Sequence, residues 1–298
     1  MSEFEVIIPV RNGGRILGSS IDSILSGSSS ADVLLTVSDN FSTDGSPWRE
    51  DLKKHPASRW RVISPPSALG RVEHWSWAFA QGQSRWIKPL MAGDRVEAEF
   101  WEWVSGEIVR QPGAGLFFCE AYYIDPARAH PEDAGRAAGG PAMVSFYDHA
   151  AFQRDAARVL NRVGALSQIL VRQDVLKSAL PFDPKFPWTA DWGFYGRCLE
   201  KAPGVRTTAR LACQDRSIAR LSTSWKGLRG SFGEEWRFAR EQAAKGGVPA
   251  IAALFLRLRA MIPGMIFKIG RLLLPRSVRK SLTRAAGLHR PSAAPGQT

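Results

Sequence analysis

Three aspartates mark where chemistry can gather in this chain of 298 residues. Asp39 closes the apolar run Val33-Leu34-Leu35-Thr36-Val37 and is followed by Asn40, Ser42 and Asp44. Asp94 follows Trp86-Ile87-Lys88-Pro89-Leu90-Met91-Ala92-Gly93, and Asp191 sits in Thr189-Ala190-Asp191-Trp192. A lone carboxylate such as Asp94 holds Mg²⁺ or Mn²⁺ only when phosphates and waters complete the shell, because such ions take six oxygen ligands. Other chemistries lack their residues. The five histidines, His55, His74, His130, His149 and His289, are scattered and suggest no zinc site. Cys119, Cys198 and Cys213 make neither a disulfide framework nor a C-x-x-C pair, which fits a reducing cytoplasm. Neither G-x-G-x-x-G nor G-x-x-x-x-G-K-[ST] occurs, and Gly13-Gly14-Arg15-Ile16-Leu17-Gly18 is spaced for neither.

The elements that must position these residues begin with Val6-Ile7-Ile8 and Val33 to Val37. Continuous apolar, β-branched runs of this kind are strands buried on both faces, as in a parallel sheet covered by helices. Between them Ile16, Ile21, Ile24 and Leu25 recur at near-helical spacing, so the unit is β-α-β. Its ligand belongs outside the carboxyl ends of the strands, where Pro9-Val10-Arg11-Asn12-Gly13-Gly14 meets Ser38-Asp39-Asn40. Further elements follow: a helix from Pro47 to Lys54 with Ser46 as N-cap, a strand Trp60–Ile63, a helix Val72–Gln81, a strand into Leu90, and a helix Glu97–Gln111. A strand over 115–124 then leads into 125–141, dense in turn formers and read as a mobile acceptor-side loop. Ile169-Leu170-Val171 reads as a buried strand.

The segment IIPVRNGG followed by VSDNFSTDGS resembles the start of a family 2 glycosyltransferase of the GT-A fold: a strand, Pro-x-x-Asn, a helix, a second strand and Asp-Asp/Asn-x-Ser-Thr-Asp. The resemblance covers about residues 4–230. It implies an α/β fold with a Rossmann-like, mostly parallel central sheet flanked by helices, and an inverting transfer of a sugar from a nucleotide-sugar donor to a hydroxyl. The donor would lie against Pro9, Val10, Asn12, Asp39 and Asn40, with Asp39 accepting from the base or ribose. Gly70 and Arg71 match the start of a family helix near the nucleotide, and Lys88 is placed to reach the phosphates.

The family's Asp-x-Asp-Asp carboxylates bind a divalent cation, Mg²⁺ or Mn²⁺. Here Met91 and Gly93 replace the Asp-x-Asp positions, which leaves Asp94 as the one candidate metal ligand. Asp191 matches the family's general base and Trp192 a wall of the acceptor pocket. Arg216 lies where relatives carry Arg-x-His over the diphosphate. Two other readings stay open: a non-catalytic nucleotide- or glycan-binding relative, suggested by the lost carboxylates, and a nucleotidyltransferase on a similar sheet.

Charge divides the chain. From Gln242 to the end there are ten Lys or Arg and no Asp or Glu, so of the net charge of +12 only +2 belongs to the first 241 residues. That excludes a basic nucleic-acid groove in the body and points to an anionic partner for the tail. The expected organisation is a transferase domain over 1–230, with a donor half (1–112) and an acceptor half (113–230), then a basic helical segment (231–287) and a disordered tail (288–298). Val248 to Leu274 alternates apolar stretches with Arg257, Arg259, Lys268 and Arg271, a pattern suited to an anionic membrane surface. No apolar run approaches the roughly 18–20 residues that span a bilayer, and no secretory leader is visible ahead of residue 5. The expected setting is the cytoplasmic face of the cell membrane, on a glycan or lipid-linked acceptor.

Overall fold

Strand β1 (Phe4–Val10) is buried along its whole length. Val6, Ile8 and Val10 enter one core and Ile7 the other, as the two-residue period of a strand covered on both faces requires. The computed structural model describes residues 2–27, 32–124, 142–158, 160–215 and 225–245. Around β1 the first half winds through α1 (Ile16–Leu25), β2 (Val33–Asp39), α2 (Trp48–Lys53), β3 (Trp60–Ile63), α3 (Arg71–Ala80) and β4 (Trp86–Pro89). These four strands are parallel in the order β3-β2-β1-β4, so the winding direction reverses between β1 and β4. Register pairs Pro9 with Ser38 and Val10 with Asp39, which brings the loops after β1 and β2 to the same edge.

The second half contributes β5 (Arg95–Val96), α4 (Ala98–Arg110), β6 (Leu116–Ile124), β7 (Val144–Tyr147), α5 (His149–Ala157), β8 (Ile169–Arg172), α6 (Gln173–Ala179), α7 (Ala190–Lys201), β9 (Gly204–Asp215) and α8 (Trp225–Lys245). Its strands extend the same sheet as β4-β8-β6-β9-β5, with β7 also on β9. Antiparallel pairs of β8 with β4 and with β6 join the halves, and β6 with β9 is parallel. Residues 1–247 form one compact unit. The segment expected from 231 starts inside α8; its remainder, the 125–141 loop and Arg216 lie outside the described residues.

Both faces of the sheet are packed. One core joins β1 and β2 to α1, α2 and α4 through Leu17, Ile21, Trp48 and Trp101; the other joins β6 and β8 to α3, α6 and α7 through Phe79, Leu176 and Phe194. Charged groups also lie inside this wall. Glu5 is fully buried, and its carboxylate takes Arg61 (2.7 Å), the Thr36 hydroxyl (2.6 Å) and the Gln83 N–H (2.7 Å). A buried charge so completely bonded avoids the penalty of an unpaired one.

Candidate active site

The loop after β1 is stapled to the loop after β2. Asn12 sits at φ +55, a left-handed conformation that asparagine tolerates better than most residues. Its N–H donates to Ser42 Oγ (2.8 Å), its Oδ1 accepts from the Thr43 N–H (2.7 Å), and the Gly14 N–H donates to Asp44 Oδ2 (2.7 Å). Asn40 ties in a third segment: its amide donates to the Leu69 carbonyl (2.8 Å) and accepts from the Leu69 N–H (2.9 Å). The two-way bond sets Gly70, the N-cap of α3, beside the ends of β1 and β2.

These loops enclose a cleft of about 350 Å³ lined by Pro9, Val10, Arg11, Asn40, Leu69, Gly70, Arg71, His74 and Trp75. Five residues that the sequence nominates for the donor, Pro9, Val10, Asn40, Gly70 and Arg71, thus share one wall. Asn12 belongs to the same loop, but its backbone and side chain brace Ser42 and Thr43. Asp39, 7% exposed, stands behind the cleft: Oδ1 accepts from the Ser42 N–H (3.1 Å) and Oδ2 pairs with Arg49 (3.0 Å). His74 shares a hydrogen bond with Ser38 Oγ (2.9 Å). Burial pushes its imidazole down to about 4, against the upward pull of the Asp39 carboxylate, so it is neutral at pH 7.

Arg71 links this cleft to Asp191. Its guanidinium lies over the Trp75 ring (5.0 Å to the centroid) and the Trp188 ring (5.5 Å), and donates to the Pro187 carbonyl. Burial lowers its pKa while the Asp191 and Glu234 carboxylates raise it. Asp191 occupies the first turn of α7, and Oδ1 accepts from the Trp192 N–H (3.0 Å). Burial lifts its carboxyl to about 7, a rise that backbone N–H groups and Arg71 only partly offset. A carboxyl poised near neutrality is suited to taking a proton. From α8, Glu234 Oε2 accepts from the Trp188 N–H (2.8 Å) and the Thr189 N–H (3.2 Å), and so holds the backbone that leads into Asp191.

Four expectations need correction, and Lys88, Trp192 and Ser46 come first. Lys88 does not reach toward a phosphate. It is fully buried, its Nζ donates to the carbonyls of Ser167 (2.9 Å) and Ile169 (3.2 Å), and it lies 4.1 Å from the Phe100 ring centroid. Strand parity puts it on the side of Trp86, toward α4. Burial pulls its pKa down to about 8. Trp192 is 9% exposed and packs edge-on against Phe238 of α8 at 5.8 Å, as a core residue and not an open wall. Ser46 does not cap α2: Pro47 takes the N-cap position, and Ser46 precedes it at φ +47 with its N–H on Asp44 Oδ1 (3.0 Å).

Asp94 does not offer the metal site that its place in the sequence suggests. It is 1% exposed, and its Oδ2 accepts from the Ser167 hydroxyl at 2.6 Å. The turn before it is clamped from both sides. Ser167 Oγ accepts from the Met91 N–H (3.0 Å), while Ser20 Oγ accepts from the Gly93 N–H (2.9 Å) and donates to the Asp94 carbonyl (2.7 Å). Gly93 has φ +89, where an aspartate would be strained. Among the described residues no group of three or more His, Cys, Asp or Glu side chains is arranged to hold a metal. The residues present do not fit a resident divalent cation.

Neither a protein-family model nor a curated protein sequence matches the chain significantly. Solved structures do match in shape. Residues 1–349 of TarS from S. aureus in complex with UDP-GlcNAc superpose with a TM-score of 0.62 at 12% identity, covering 96% of this chain and 80% of that one. The mannosyltransferase PcManGT from Pyrobaculum calidifontis, in complex with GDP-Man and Mn2+, gives 0.55 at 12%, with coverage of 96% and 80%. The fold is that of GT-A-like glycosyltransferases. Within that fold the cleft lies at the carboxyl ends of the parallel strands β1 and β2, as expected for a ligand site in a wound α/β sheet.

Sequence reasoning missed several residues of this site. Arg11 and Leu69 flank nominated positions, while His74 and Trp75 lie about one helical turn along α3 from Arg71. Arg49, Ser167, Trp188 and Glu234 arrive through tertiary contacts that no local spacing announces.

Proposed function

We propose that this chain is an inverting glycosyltransferase. It moves a sugar from a nucleoside-diphosphate donor to a hydroxyl of a glycan or lipid-linked glycan, in the synthesis of cell-surface polysaccharide. The observation that carries the reading is the junction of two features at Arg71: a cleft at the carboxyl ends of β1 and β2 in a GT-A-like sheet, and a carboxyl raised to about 7 beside it. The neighbours' donors, UDP-GlcNAc and GDP-Man, are both sugars on a nucleoside diphosphate.

In the proposed reaction the donor's nucleotide lies against Pro9, Val10, Asn40 and Gly70, with its diphosphate toward Arg71. Asp191 takes the proton of the acceptor hydroxyl as that oxygen bonds to the anomeric carbon. The bond from that carbon to the diphosphate breaks on the opposite face, and the nucleoside diphosphate leaves with the electron pair. Arg71 stabilises the charge that develops on it. No covalent sugar–enzyme species forms, so configuration inverts.

Release of nucleoside diphosphate from a panel of nucleotide sugars tests the reading. Asp191→Asn should abolish transfer while the protein still unfolds cooperatively. Pyrophosphate as product would identify a nucleotidyltransferase instead. No helix among the described residues is long and apolar enough to cross a membrane. The basic segment through Leu274 is proposed to hold the enzyme on the cytoplasmic membrane face. Deleting residues 248–298 should move the protein from pelleted anionic liposomes to the supernatant; unchanged sedimentation removes this part of the reading.

A further inference from the structure

A nucleoside diphosphate leaves carrying negative charge, and a transferase must meet that charge with a metal ion or with fixed side chains. We propose that this cleft binds its nucleoside diphosphate without a divalent cation, with the Arg71 guanidinium as the fixed positive charge over the diphosphate. The inference rests on the donor-site reading above and deepens it.

On the metal side, two of the three carboxylates that the motif needs are Met91 and Gly93, and the third is committed elsewhere. For Asp94 to ligate an ion it would have to come out of a position where 1% of its surface is accessible and where the Ser167 hydroxyl holds its Oδ2. The clamp of Ser20 and Ser167 on residues 91–94 opposes that movement, since breaking it strands buried hydroxyl and N–H groups. Gly93 at φ +89 holds a turn shape that a ligating side chain at that position would disfavour.

On the side-chain side, Arg71 is exposed at the cleft and lines it together with Arg11. Two tryptophan rings and the Pro187 carbonyl fix its orientation before any ligand arrives. A guanidinium ordered in this way loses little freedom on binding, and its planar fork matches phosphate oxygens. Asp39 does not compete for it, because Asp39 pairs with Arg49. Lys88 does not share the task, being buried under Phe100 with both bonds on carbonyls. His74, the remaining basic group of the cleft wall, is neutral at pH 7.

Calorimetric titration of the full chain with UDP and with GDP, once in chelator and once in Mn²⁺, decides the matter. The expected result is binding in chelator, with affinity within about twofold of that in Mn²⁺. Arg71→Ala should weaken binding on the order of tenfold or more under both conditions, the loss typical of a charged hydrogen bond. Should that variant fail to fold in a thermal melt, Arg71→Lys, which keeps the charge and gives up the stacking, should show a smaller loss, again equal in both conditions. Binding that appears only with Mn²⁺, or that Mn²⁺ strengthens more than about tenfold, overturns the inference and leaves the transferase reading standing. No binding of either nucleotide in either condition overturns both.

Discussion

Arg71 and Asp191 are 120 positions apart in the chain, yet each lies in the other's electrostatic field: the guanidinium lowers the carboxyl's pKa and the carboxylate raises the guanidinium's. The pairing joins the cleft built by the first half of the sheet to the carboxyl on α7 that is proposed as the proton acceptor. Burial outweighs it, which is why Asp191 titrates near neutrality and not as an ordinary carboxylate.

The pH dependence of transfer follows directly. A base with a pKa of about 7 is protonated and idle in acid, so kcat should rise with pH and level off above about 7. Stability moves the other way. In the unfolded chain the same group ionises near the ordinary carboxyl value of 3.8, so between there and about 7 the folded state holds the extra proton and each step up in pH costs stability. Asp191→Asn should remove that slope and melt higher than the parent at pH 8. A parent and variant whose melting curves stay parallel from pH 4 to pH 8 would refute the burial account of this carboxyl.

Glu234 should matter for turnover through the backbone that it holds. Replacing it with Ala strands the N–H groups of Trp188 and Thr189 at the start of α7, at a cost of about 1 kcal/mol as for a lost helix cap. We expect kcat to fall severalfold, and Glu234→Gln, which keeps an acceptor oxygen, to recover most of the loss. Equal kcat in the Ala variant and the parent would deny Glu234 any part in placing the base.

Asn40→Ala should damage the opposite half. The amide that both donates to and accepts from Leu69 is 2% exposed, so its removal leaves a backbone carbonyl and an N–H without their partner. A loss of roughly 1–3 kcal/mol in chemical unfolding is expected, together with weaker nucleotide binding as Gly70 and Arg71 lose their anchor. Nucleotide affinity equal to that of the parent would show that the clasp does not shape the cleft.

Lys88 provides a pH test in the alkaline range. Its pKa is pulled from 10.5 to about 8, so between these values the unfolded chain binds the additional proton and stability should rise with pH. Lys88→Met, which fills similar volume without a charge, should flatten the rise above pH 8. Chemical unfolding midpoints measured at pH 8 and pH 10 suffice to see it.

What the sequence made legible was the first β-α-β unit and the loops at its strand ends. Runs such as Val6-Ile7-Ile8 announce a strand buried on both faces, and the abrupt turn to Pro9 and Asn12 marks where the ligand edge lies. The same continuity hid the direction of Lys88. With Trp86, Ile87 and Pro89 all apolar or neutral there is no alternation to say which face a residue enters, and only the position of α4 against the sheet decides it. Trp192 was misread for a related reason: a tryptophan beside a candidate base reads as a pocket wall until Phe238, 46 positions onward, is seen to cover it. The burial of Asp94 was hidden because its partner, the Ser167 hydroxyl, comes from a segment 73 residues away. Local pattern reports the element, while the far side of each contact comes from the fold.

The bonds from Glu234 set a limit on how this protein can be dissected. Since α8 braces the start of the helix that bears Asp191, a fragment ending before Trp225 would look like a complete sheet and yet be missing a piece of the candidate site. Shortened versions made for crystallisation or screening should therefore end no earlier than Lys245.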